Sequence, residues 1–95
     1  MENSEHYFYV LLCRDGSLYA GYTNNLTRRI QLHNEGKGAK YTRGRGPVQL
    51  LYSKPYLTKG EALKAEYAFK QLTKAKKEDF LYRELGEDYA TAKKL

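Results

Sequence analysis

Apolar residues run without interruption from Tyr7 to Cys13, YFYVLLC. Both alternating positions are apolar, which is the pattern of a strand covered on both faces. Asp15-Gly16 follows, and Leu18-Tyr19-Ala20 resumes the apolar run, so this stretch predicts a strand, a tight turn and a second strand. Asn24 or Asn25 can then cap a helix in which Leu26, Ile30 and His33 recur at i, i+4 and i+7, running to about Asn34 with Gly36 as its stop. Residues 36–47, GKGAKYTRGRGP, show no such period and read as a loop, after which Val48 to Tyr52 reads as a third strand. Thr58-x-x-Glu61 is a capping box, and Ala62, Leu63, Ala65, Phe69 and Leu72 supply the apolar stripe of a second helix. Thr73 can cap a third helix ending near Gly86, and residues 87–95 read as a ragged tail. The order strand, strand, helix, strand, helix, helix predicts one α+β domain over residues 1–95, a small sheet with helices against it.

Composition narrows the class. Ninety-five residues make one domain with a modest core. The longest apolar run is far below the ~20 residues of a membrane span. The start Met1-Glu2-Asn3-Ser4-Glu5 is no signal peptide, so a cytoplasmic protein without a membrane partner is expected. The single cysteine, Cys13, forms neither an internal disulfide nor a multi-cysteine metal site and reads as a small buried hydrophobe. A net charge of +6 and a pI near 9.4 point to a polyanionic partner, most simply nucleic acid. No segment shows the basic amphipathic helix with a bulky apolar face that a membrane surface would select.

Six side chains then stand out by position. Arg29 and His33, four apart, share one helix face. Glu66 falls among Ala62, Ala65, Phe69 and Leu72, beside a buried stripe, where a carboxylate must be ion-paired, hydrogen-bonded or bound to a metal. His33 near a helix end has two readings, catalysis or complementing the dipole. Tyr7 and Tyr9 share a strand face and Tyr19 shares one with Gly21. Buried phenols need partners, so these tyrosines are either tied into the core or face a polar site. If the faces coincide, phenols, guanidinium, imidazole and carboxylate converge into an inventory for phosphodiester cleavage. The arginine would stabilise charge on phosphorus, a phenol or imidazole would activate water, and the carboxylate would hold a divalent cation. One carboxylate suits Mg²⁺ (or Mn²⁺) bound jointly with substrate phosphate, because Mg²⁺ keeps several waters and takes phosphate oxygens. Lys37, Lys40, Arg43 and Arg45 lie among four glycines with no acid in the loop, a pattern suited to a phosphate backbone. A solvated loop is the alternative, and Lys70, Lys74, Lys76 and Lys77 either extend the patch or form a solvated helix face.

YFY at 7–9, YAG at 19–21, Arg29, His33 one turn later and Glu66 in the following helix together resemble the GIY-YIG endonuclease superfamily over about residues 6–80. The segment HNEGKGAKYTRGRGPV at 33–48 resembles its small stand-alone bacterial members. The resemblance implies a three-stranded antiparallel sheet flanked by helices and one-metal hydrolysis of a phosphodiester. It assigns Tyr9 and Tyr19 as the motif tyrosines, Arg29 as the catalytic arginine, His33 as the residue accompanying it and Glu66 as the metal ligand. Tyr7 stands where the motif usually has glycine, Ala20 where it has isoleucine or valine, and Lys74 to Asp79 shows no counterpart of the asparagine many family nucleases carry.

The reading is a Mg²⁺-dependent endonuclease or nuclease-like domain. It acts on nucleic acid, DNA ahead of RNA, selects by structure rather than sequence, and is a monomer by default. Tyr9, Tyr19, Arg29 and His33 are catalytic, Glu66 binds metal, Lys37, Lys40, Arg43 and Arg45 bind nucleic acid, and Tyr7 and Gly21 line the site. The rival is a non-catalytic nucleic-acid-binding module whose tyrosines stack bases. A structural partner within a nucleoprotein is a third class.

Overall fold

In the computed structural model, which describes residues 5–93 without the side chains of Lys40 and Lys93, the uninterrupted apolar run becomes the middle strand of a sheet. Strand β1 (His6–Leu12) pairs antiparallel with β2 (Leu18–Thr23) on one side and with β3 (Gln49–Tyr56) on the other. The turn joining β1 to β2 has Gly16 at φ +87, and the Asp15 carboxylate accepts from the Ser17 amide and hydroxyl.

Helices cover the two faces of β1 differently. Phe8, Val10 and Ala20 pack with Phe69 of α2 (Lys59–Lys70), Leu81 of α3 (Lys74–Leu85) and Tyr89 of α4 (Glu87–Lys93). On the opposite face Tyr9, Leu11, Cys13 and Val48 form a second cluster, flanked by Tyr19 and by Leu26 and Ile30 of α1 (Leu26–Asn34). Cys13 is thus the buried small hydrophobe expected of it.

The caps lie where local chemistry puts them. The side chain of Asn25, not Asn24, accepts from Arg28 N, Thr58 accepts from Glu61 N and Thr73 from Lys76 N. Two boundaries differ from the pattern. β3 continues past Tyr52 through Lys54 and Pro55, which an edge strand tolerates because one side of its backbone needs no partner. Residues expected to be a ragged tail include α4, corrected by the burial of Tyr89 and Ala92. Seven residues do not sustain a helix alone, and the Tyr89 ring, 4.8 Å from that of Tyr82, anchors this one. The order is therefore β-β-α-β-α-α-α.

Candidate active site

Antiparallel pairing sets the site's geometry. Tyr9 lies opposite Gly21 and Leu11 opposite Tyr19, so both phenols share the α1 face with ring centroids 6.3 Å apart. A Cβ at Gly21 would stand 2.6 Å from the Tyr9 hydroxyl and 2.7 Å from its Cζ, so glycine leaves the space into which the phenol leans. Helix α1 brings Arg29 and His33 over the same face, the period of 3.6 placing both side chains toward Tyr9.

The hydrogen bonds here have one consistent direction. The Thr42 hydroxyl donates to the Ala39 carbonyl at 3.0 Å and so accepts from His33 Nδ1–H at 2.8 Å. That tautomer leaves His33 Nε2 with a lone pair, to which the Tyr9 hydroxyl donates at 3.0 Å. The imidazole is 1% exposed, and burial, followed by the charge of Arg29, pushes its pKa down, in keeping with a neutral ring. Burial pushes Tyr9 up to about 12, against the lowering effect of a hydrogen bond from Arg29, while Tyr19 and Glu66 add to the rise. The Arg29 pKa is raised in turn, chiefly by its bond to Tyr9 and also by Tyr19.

Arg29 Nε is buried and has no hydrogen-bond partner in the structure. Tyr9 is completely buried and Tyr19 only partly, so Tyr19 is the phenol on the open side. Glu66 of α2, its side chain mostly covered, accepts from Lys70 Nζ at 2.7 Å. Among the alternatives open to this carboxylate, the ion pair is with Lys70 rather than Arg29. Among the described residues no group of three or more His, Cys, Asp or Glu gathers. A single carboxylate completed by water and phosphate oxygens matches the donor preference of Mg²⁺, so the residues fit a cation shared with substrate.

The structure brings Tyr9, Tyr19, Gly21, Arg29 and His33 together, with Glu66 close enough to act on Tyr9. Tyr7 is turned elsewhere, its hydroxyl donating to Glu5 at 2.7 Å. In the basic loop Lys37 and Arg43 are exposed, and the Lys40 side chain lies outside the described residues. Arg45 is 3.1 Å from Asp15, so the acid absent from the loop is supplied by the β1–β2 turn. Its guanidinium also lies 4.4 Å over the Tyr41 ring. Three residues of the site were not singled out in the sequence. Thr42 orients His33, Gly38 lies so close to the His33 ring that a Cβ would overlap it, and Tyr41 stacks on Tyr19 at 5.9 Å. Their only signal was a Tyr-Thr pair and a glycine within the basic loop.

The three-stranded antiparallel sheet with helices is the α+β fold of GIY-YIG proteins. The family model described as the GIY-YIG catalytic domain matches residues 5–79, and the chain belongs to that family, whose members are typically nucleases generally using divalent metal ions. Within it, the chain is similar to proteins designated UPF0213. One from Bacillus licheniformis is 58% identical over 95 residues, 98% of each chain. YazA of Bacillus subtilis is 54% identical over 81 residues, 85% of this chain and 82% of that one. The solution structure of the UPF0213 protein BH0048 from Bacillus halodurans matches with a TM-score of 0.60 at 49% identity, covering 86% of this chain and 87% of that one. That of EF2693 from E. faecalis matches with a TM-score of 0.57 at 50% identity, covering 90% and 93%. The small bacterial subfamily and the fold expected from the motifs are thereby established. Among the described residues no helix is long and apolar enough to cross a membrane.

Proposed function

We propose that this protein is a divalent-metal-dependent endonuclease that hydrolyses DNA phosphodiesters in the cytoplasm, acting as a monomer and selecting by backbone structure rather than base sequence. The observation that carries the reading is Arg29: its charge is held against two phenols, the buried Tyr9 and the partly exposed Tyr19, and the residue is itself only partly buried. A phosphate beside Tyr19 would meet the guanidinium, which would then stabilise charge developing on phosphorus.

The other side chains divide the remaining work. Tyr19, on the open side and beside the Arg29 cation, orients the attacking water and, in its phenolate form, takes the water's proton to become the neutral phenol. Tyr9 accepts from Arg29 and donates to neutral His33, holding both in place. Glu66 is the residue that would hold Mg²⁺ or Mn²⁺ together with the substrate phosphate. Such an ion supplies charge neutralisation at the phosphate and leaving oxygen. Lys37, Lys40, Arg43 and Arg45 are assigned to backbone phosphates, Arg45 through guanidinium donors other than the Nη1 group that pairs with Asp15.

The test is nicking of supercoiled plasmid and of branched and single-stranded DNA with Mg²⁺, Mn²⁺ or EDTA. Wild type is compared with Glu66→Gln and Arg29→Ala, each first shown folded by circular dichroism. Metal-dependent nicking lost in both variants is the expected result. Equal, background-level cleavage by all three proteins would overturn it and leave the second reading, a nucleic-acid-binding module. The ion pair of Glu66 with Lys70 favours that second reading, which predicts unchanged binding in Glu66→Gln.

A further inference from the structure

Beside the catalytic face lies a cavity of about 310 Å³ that the proposed chemistry leaves unused. Its floor is apolar, made by Leu18, Ala20 and Phe69, and its wall is the stacked pair Tyr19 and Tyr41. Lys70 and Lys77 stand at its edge, and no acidic residue lines it. Their ammonium groups lie 5.9 Å from the centre of the Tyr19 ring and 5.7 Å from that of Phe69.

Tyr41 belongs to a glycine-rich loop but is not held by the loop alone. The Arg45 guanidinium lies over its ring and is itself tied to Asp15 on the hairpin turn. The phenol is therefore fixed beside Tyr19 while remaining 44% exposed. An exposed aromatic held at a set angle by a salt-bridged arginine is a platform prepared for a flat ligand.

From this we infer that the cavity is a subsite for one unpaired nucleotide next to the phosphodiester to be cut, its base against Tyr19 and Tyr41 and its phosphate on Lys70 and Lys77. The inference rests on the nuclease reading and narrows its substrate. An apolar floor and a phenol pair suit a nucleobase, and Lys77 with Lys70, the latter shared with Glu66, suits the phosphate attached to it. A free phosphate would have no use for the aromatic wall, and a purely apolar ligand none for the two cations. The volume is at the small end for ligand sites, enough for one base and too little for a duplex. A base stacked within a helix cannot enter a concavity, so this subsite selects phosphodiesters flanked by a frayed, looped or unpaired residue. Tyr19 belongs to both the wall and the catalytic face, which fixes the subsite next to the cut.

The experiment measures binding in EDTA, where no metal-dependent cleavage occurs, by fluorescence anisotropy. The probes are a short oligothymidylate, the same backbone with abasic residues, and a hairpin duplex of matching charge. Wild type is expected to prefer the oligothymidylate to the abasic strand by roughly 5- to 150-fold, the range of base–aromatic stacking. Tyr41→Ala should abolish that preference and Tyr41→Phe keep it. Lys77→Gln should weaken both single strands alike and reduce the salt slope by about one ion. Equal affinity of wild type for the base-bearing and abasic strands would overturn the subsite, as would a preference untouched by Tyr41→Ala. Either result alongside nicking that depends on Glu66 would leave the nuclease reading intact. Failure of wild type to bind any of the three probes would overturn the subsite, and together with absent plasmid nicking would sink the nuclease reading as well.

Discussion

Replacing Gly21 by alanine probes the centre of the site with three hydrogens and one carbon. Gly21 is not among the glycines of positive φ, so alanine meets no backbone penalty there, and the effect is steric. The new Cβ would lie 2.6 Å from the Tyr9 hydroxyl, 2.7 Å from its Cζ and 3.1 Å from Tyr19 Cε2. Tyr9 has nowhere to retreat: it is completely buried, bonded to His33 and held by Arg29. Overpacking of this kind costs about 1–3 kcal/mol. At roughly 4–8 °C per kcal/mol for a domain of this size, Tm should fall by about 4–24 °C. Displacing the phenol also disturbs Arg29 and His33, so nicking should drop by more than the loss of folded protein accounts for. Tyr9→Phe removes the hydroxyl but leaves Cζ, so it should relieve the clash only in part. The double variant should therefore be more stable than the sum of the two singles by about 0.5–2 kcal/mol, a coupling expected of residues in contact. Thermal unfolding by circular dichroism gives the stabilities and plasmid nicking the activity. A Gly21→Ala protein with unchanged Tm and rate, or strictly additive singles, would refute the account of why glycine faces Tyr9.

Three further outcomes follow from the same contacts. His33 has its pKa lowered in the fold, so the unfolded chain takes up the proton first: its contribution to stability is full above about pH 6.5 and is lost as pH falls below that value. Tm measured from pH 8 to 5 should decline on the acid side, less so in His33→Gln; an equal decline in both would remove His33 as the cause. Thr42→Val should cost about 1–3 kcal/mol by leaving the His33 Nδ1–H buried and unpaired, whereas Thr42→Ser should be nearly neutral in urea unfolding. Mn²⁺ should broaden NMR resonances around Glu66 in wild type, not in Glu66→Gln, and at lower concentration in Lys70→Met, where the competing ammonium is gone. Equal broadening in all three would dissociate Glu66 from metal binding.

How much of this was legible in the chain depends on the range of the interaction responsible. The β1–β2 hairpin was readable because the apolar run, the Asp15-Gly16 turn and the period of two are local, whereas the register that puts Tyr9, Tyr19 and Gly21 on one face came with the pairing of the two strands. The caps at Thr58 and Thr73, and one at Asn24 or Asn25, were readable because each side chain answers an amide three residues away, and the fold chose Asn25. The common face of Arg29 and His33 follows from helical spacing alone. Contacts between distant segments were not readable. Arg45 finds its acid thirty positions earlier, in Asp15, and Thr42 lends His33 an acceptor only because the loop folds back over α1 across Gly38. The helical end of the chain escaped notice because Tyr89 earns its place by packing against Leu81 and the sheet, which no local pattern announces. Residue type and short-range spacing were enough to give the elements as far as α3 and the chemical inventory of the site. Only tertiary contacts set the tautomer of His33, the unpaired Nε of Arg29, the pairing of Glu66 and the cavity beside Tyr19. Each of these depends on which groups are brought within a hydrogen bond's reach of one another and shut away from water.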